Sequence, residues 1–276
     1  MTSSAPSPLR RLATALGWTR HSFYLFSVFV LVCGLIVYVW WPLAAEVLAY
    51  IDWEGPWWLY FDWLLVGIWL AMSLLIMAGA DLRVDAKIVF VGAVGGLVIE
   101  AWGTQTNLWH YYTAERPPLW IIPAWPIAAL STDRLVRVLG NRLSPLAGKL
   151  PGPIARRPFF LPFYWLIFLP FYALMLLFVA PTFDKSLTWM ALLLCALLIA
   201  TPTDYRMAIL TFLAGAGLGY FLELWGTTRQ CWTYYTLQTP PFFAVLAHGM
   251  AAVAFWRTVS ILNRLLARIG VRSGAL

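Results

Sequence analysis

The chain predicts an all-α polytopic membrane protein of eight transmembrane helices, arranged as two tandem four-helix repeats with the same orientation. Three observations predict it: a charge-poor apolar composition, eight apolar runs near bilayer length, and one long segment that occurs twice. Of the 276 residues, 62% are hydrophobic and 11% are charged, with 17 tryptophans and a mean hydropathy of +0.76. So little polar surface cannot cover a soluble globule.

The apolar runs lie at about 22 to 42, 57 to 79, 87 to 102, 119 to 139, 159 to 180, 187 to 202, 207 to 224 and 241 to 262. The third, sixth and seventh are short and are expected to tilt little or to end at a cavity. Arg10, Arg11 and Arg20 precede the first run as in a signal sequence, but its about twenty apolar residues exceed an ordinary signal core of roughly 7 to 15. It therefore reads as an uncleaved span.

With eight alternating spans, sixteen of the 19 Lys and Arg fall on the N-terminal side, and only Arg116, Lys185 and Arg229 fall on the other. The positive-inside rule then makes both termini cytoplasmic and the protein a multi-pass one, as in a bacterial inner membrane. The formal charge of +7 serves topology and attraction to anionic lipid, so it calls for no nucleic-acid partner.

The expected organisation is a cytoplasmic segment 1–21, repeat 1 over 22–142, a linker 143–158, repeat 2 over 159–264, and a cytoplasmic tail 265–276. The linker is rich in Pro, Gly and Arg, which marks a joint.

The duplication is explicit between 81–118 and 204–241, which align without a gap at an offset of 123 with fifteen of thirty-eight positions identical. An even number of spans per unit gives both copies one orientation, related by an axis along the membrane normal. Within the duplicated stretch, Gly92, Gly96 and Glu100 recur as Gly215, Gly219 and Glu223. A spacing of four puts each glutamate on a helix face whose small residues admit a neighbouring helix. Acids within apolar helices are costly and tend to be functional, so Glu100 and Glu223 are the first candidates for proton transfer. The alternative is a pair of hydrogen-bonding groups that fix helix packing. The Gly-Thr after each glutamate is expected to end its helix.

Asp62 and Asp184 open the second helix of each copy and are expected at the level of the glutamates, where a carboxyl pair could share a proton. An ordinary helix-end role is equally open to them. Asp81 and Asp204, each two residues before an Arg, read as caps on short cytoplasmic turns.

The aromatic candidates for substrate contact are Trp102, Trp109, Tyr111 and Tyr112, with Trp225, Trp232, Tyr234 and Tyr235 at the same offset. Thr104, Thr227 and His248 join them. Such rings can form an interfacial belt, stabilise a carbocation or wall a conjugated chain. Glu115, His110 and Trp125 face Gln238, Thr233 and His248, so the two half-sites are unequal. Cys33, Cys195 and Cys231, and His21, His110 and His248, lack the spacing of a metal site, and no metal or organic cofactor is implied. No nucleotide-binding or hydrolase motif occurs.

Ile99 to Thr106 (IEAWGTQT), Tyr111-Tyr112-Thr113 and Ile121 to Trp125 (IIPAW) resemble the Glu-x-x-Gly-x-x-Thr, Tyr-x-Tyr-Thr and Pro-then-Trp elements of one known family. It is the integral-membrane carotenoid-biosynthesis family that includes carotenoid 1,2-hydratases. That family's Gly-rich stretch between the Thr and the Tyr is replaced here by Asn107 to His110. The resemblance implies an enzyme that adds water across a terminal isoprene double bond, with Glu100 as the acid. Chemically, a buried carboxylic acid suits hydration or cyclisation of an isoprenoid alkene. A transporter or proton-coupled carrier, and a noncatalytic lipid-binding or assembly subunit, are the competing expectations.

Overall fold

A computed structural model of the chain describes residues 8–147 and 159–269. The described residues are mostly helical, with two three-residue strands and connecting turns. In chain order they form α1 (Pro8–Ala15), α2 (Arg20–Val39), α3 (Trp41–Ala49), α4 (Trp63–Met77), α5 (Leu82–Gln105), β1 (Trp109–Tyr111), α6 (Ala124–Ala147), α7 (Phe160–Val179), α8 (Ser186–Ile199), α9 (Tyr205–Thr228), β2 (Trp232–Tyr234) and α10 (Phe242–Arg268). Each of the eight apolar runs becomes a helix. Four helical segments, 20–39, 160–182, 205–228 and 242–268, are long and apolar enough to cross a membrane.

α5 and α9 are 24 residues each, longer than their apolar runs. They begin at polar turns rather than where hydrophobicity begins, because a helix is closed by its caps. The Asp204 carboxylate caps α9 by accepting from the Met207 amide at 3.1 Å. At the start of α5, Asp81 accepts from the Arg83 amide at 3.0 Å, and the Asp81 amide donates to Asp85 at 2.9 Å. α8, at 14 residues, is short as expected.

The chain divides into two compact units, 1–86 and 87–276. In the first, α2 packs on α4 with Phe29 stacked against Trp69 at 6.3 Å. Thr19 caps α2 and donates to the Ala80 carbonyl at 2.8 Å, while buried Ser22 donates to the Met77 carbonyl at 2.6 Å.

In the second unit α9 and α10 make the most extensive helix pair, flanked by α6, α7 and α8. Their close approach follows from glycine. A Cβ on Gly215 would meet Ala252 Cβ at 2.7 Å and the His248 carbonyl at 2.9 Å, and one on Gly249 would meet the Phe212 carbonyl at 2.7 Å. α6 runs on through Ala147 into the expected linker; the remainder, 148–158, lies outside the described residues, as do 1–7 and the tail beyond 269.

Candidate functional site

Glu100 lies one and a half turns before the end of α5, and Glu223 holds the matching place in α9. Both are buried, at 3% and 2% exposure. As expected, the helices end just after the Gly-Thr pairs, at Gln105 and Thr228. Those glycines also make room: a Cβ on Gly103 would enter the ring of Trp109, and one on Gly226 the ring of Trp232. One turn before each glutamate, Gly96 clears the ring of Trp125 and Gly219 clears His248. Each acid is thus flanked by two glycines, at i−4 and i+3, and each glycine admits one side chain that reaches the carboxylate.

Glu100 receives three hydrogen bonds. Trp109 Nε1 donates to Oε2 at 3.0 Å, while Tyr111 Oη and Trp125 Nε1 donate to Oε1 at 2.9 and 3.1 Å. Glu223 receives Trp232 Nε1 on Oε2 at 2.9 Å and Tyr234 Oη on Oε1 at 2.8 Å, and its Oε1 lies 2.9 Å from His248 Nε2. Indole N–H groups only donate, so both sites are shaped for an acceptor. Burial first, and then the glutamate that each bonds, hold the Tyr111 and Tyr234 phenols well above their usual range. They remain protonated donors, and each also feels the opposite glutamate.

The aromatic donors are aligned by the antiparallel pairing of β1 with β2, in the register Trp109 to Tyr234, His110 to Thr233 and Tyr111 to Trp232. The ladder continues through the Tyr112 amide to the Cys231 carbonyl at 3.2 Å and the Tyr235 amide to the Leu108 carbonyl at 3.1 Å. At the offset of 123 every one of these pairs maps onto its mirror, and His110–Thr233 maps onto itself. The rings interlock across the ladder, Trp109 against Tyr234 at 5.8 Å and Tyr111 against Trp232 at 5.9 Å. The flanking loops repeat their backbone shape, with Asn107 and Gln230, then Ala114 and Leu237, at positive φ, and cis bonds before Pro117 and Pro240. Trp125 and His248, also offset by 123, stack on each other at 5.9 Å and 17°.

The remaining expected residues stand elsewhere. Thr104 and Thr227 donate to the main-chain carbonyls of Glu100 and Glu223, both at 2.6 Å, and not to the carboxylates. Trp102 donates to Thr188 at 3.4 Å and packs on Trp109 edge-on, and Trp225 packs on Trp232 likewise. Tyr235 donates to the Phe178 carbonyl at 2.8 Å. Strand alternation turns Tyr112 and Tyr235 away from the acids that Tyr111 and Tyr234 hold. Asp184 does not join Glu223: it is exposed and paired with Lys185 at 2.6 Å, which lowers its pKa. Asp62 belongs to the first compact unit, where its carboxylate caps α4 through the Leu65 amide at 3.1 Å.

Trp125 was absent from the expected site. Its offset from His248 is the sequence signal that reveals it. Both line a narrow apolar cleft with Ala129 of α6, Gly215 and Gly219 of α9, and Ala252 of α10. Among the described residues no three His, Cys, Asp or Glu gather as metal ligands.

Gly103→Ala and Gly226→Ala should each destabilise the protein by about 1–3 kcal/mol in denaturant unfolding in micelles. Gly217→Ala, with nothing within 4 Å of its added Cβ, should be neutral or stabilising. Tyr111→Phe and Tyr234→Phe should each cost about 1–3 kcal/mol, by removing a donor from a buried carboxylate. Comparison with family models, with curated proteins and with solved structures finds no match to this chain.

Proposed function

We propose that this is a membrane-embedded enzyme of isoprenoid-type lipid metabolism, working by acid–base chemistry at the Glu223–His248 pair. The observation that carries the proposal is the inequality of the half-sites. Glu100 is closed by three donors, whereas Glu223 meets a titratable imidazole at 2.9 Å that also lines the apolar cleft. The cleft beside the pair has room for about one water molecule, the reactant that hydration needs, and Trp125 offers a ring face there. Hydration of a terminal alkene would take a proton from the pair to the CH₂ carbon. A water oxygen would bond the resulting tertiary carbon, and its surplus proton would return to the pair. This agrees in reaction class with the carotenoid-hydratase resemblance and moves the acid from Glu100 to the second half.

The same proposal takes the chain as eight spans in two like-oriented repeats, with both termini cytoplasmic in a bacterial inner membrane. The mirror-related ladder about His110–Thr233 supports the repeat, since equivalent loops pair with each other as in a twofold interface.

A noncatalytic lipid-binding or assembly role is the second reading, favoured by the donor sets that hold both carboxylates. Lipids retained after mild purification, identified by mass spectrometry, supply the test substrate. With it, Glu223→Gln and His248→Asn should each lower turnover at least about a hundredfold, the scale of a general acid–base group, while Glu100→Gln retains most of the rate. Wild-type protein that retains no isoprenoid and hydrates none leaves the noncatalytic role.

A further inference from the structure

The duplication carries a second inequality, toward the far end of α10 from His248. Arg134 of α6 and Arg257 of α10 also stand at the offset of 123. Arg134 is buried, and its Nη1 pairs with the Asp133 carboxylate at 2.7 Å, which also takes Arg137 at 2.9 Å. In the second copy Trp256 stands in place of Asp133, and Ser260 in place of Arg137. Arg257 keeps the charge without the acid. Its Nε and Nη1 are enclosed and have no hydrogen-bond partner among the described residues, although the residue as a whole is only half-buried.

A guanidinium stays protonated and offers five N–H donors, so enclosing it in an apolar helix without an anion is costly. α10 contains no Asp or Glu, and α7 and α8, which pack on it, contain no charged residue. The acids of α6 and α9 are engaged elsewhere: Asp133 holds two arginines, Asp204 caps its helix, and Glu223 meets Trp232, Tyr234 and His248. Residues 1–7, 148–158 and 270–276 contain no acidic side chain either. The counter-ion is therefore sought outside the chain.

Arg264 and Arg268, seven and eleven positions on, share the helix face of Arg257 and are exposed. Their counterparts in α6 are Asn141 and Pro145, so this basic line belongs to the second copy alone. Exposed Ile261 and Leu265 flank it. A free anion gains nothing from such apolar neighbours, whereas a phospholipid lays acyl chains on them and its phosphate against the guanidinium groups. The apolar run ends at about 262, five residues or about 7.5 Å beyond Arg257, a distance comparable to an extended arginine side chain. We propose that Arg257, with Arg264 and Arg268, forms a site for the phosphate of an acidic phospholipid, which supplies the counter-ion that Asp133 supplies in the first copy. The site is independent of the acid–base proposal.

The test places the full chain in phosphatidylcholine nanodiscs with increasing phosphatidylglycerol and counts, by native mass spectrometry, the lipids that stay bound after release. Phosphatidylglycerol should be retained saturably, at least about tenfold over phosphatidylcholine, and millimolar inorganic phosphate should not displace it. Arg257→Leu should lower the preference about tenfold; because it removes an unpaired charge, it should unfold no earlier than wild type in phosphatidylcholine discs. Trp256→Asp, which gives Arg257 the internal counter-ion of the first copy, should lower the preference as far. Arg142→Gln, which removes one exposed charge near the end of α6, should leave it unchanged. No preference in the wild type, wild-type preference in Arg257→Leu, an equal loss in Arg142→Gln, or displacement by inorganic phosphate overturns the proposal.

Discussion

Two buried carboxylates set the terms for the second compact unit. A buried carboxylate requires donors on both oxygens, and those donors must come from neighbouring elements. At Glu100 they come from β1 and α6; at Glu223 they come from β2, and α10 adds the His248 imidazole at 2.9 Å. Each acid therefore fixes the loop that follows its own helix and the helix that follows that loop. The four flanking glycines are the steric condition for this, because Trp109, Trp125, Trp232 and His248 each pass where a Cβ would stand.

The β-ladder joins the two arrangements into one. Each strand supplies a Trp and a Tyr to its own glutamate, and the rings of those residues pack on the Tyr and Trp of the other strand. Each acid is thus a hydrogen-bond partner of its own strand, and the ring pairs link that strand to the opposite one. Within this near-symmetric frame the exchange of Trp125 for His248 changes the chemistry with little change of shape. Both rings fit a glycine-cleared seat and both reach an acid, but only the imidazole can exchange a proton.

Much of this was legible in the sequence. Apolar runs located α2 and α4 to α10, though not α1 or α3, and the offset of 123 picked out the glutamates, the tryptophans and the tyrosines. Other features were not legible, for physical reasons. Gly103 and Gly226 mark the last turn of their helices, as glycine often does; only the packed rings show that they are also clearances. Tyr111 and Tyr112 are indistinguishable as letters, and strand alternation decides which one meets the acid. Thr104 and Thr227 turn back to their own helix, as hydroxyls in apolar helices often do. The length of α5 escaped a hydropathy reading because its capped start is polar. Asp184 follows its neighbour Lys185, a local pairing that a comparison of repeats does not register.

The central claim is that the two buried acids form one coupled unit. It is tested most directly by a double-mutant cycle on unfolding free energy with Glu100→Gln, Glu223→Gln and the double variant in micelles. Coupling through the shared ladder predicts an interaction energy above about 0.5 kcal/mol. Effects that add within about 0.3 kcal/mol would show two independent sites and contradict the account.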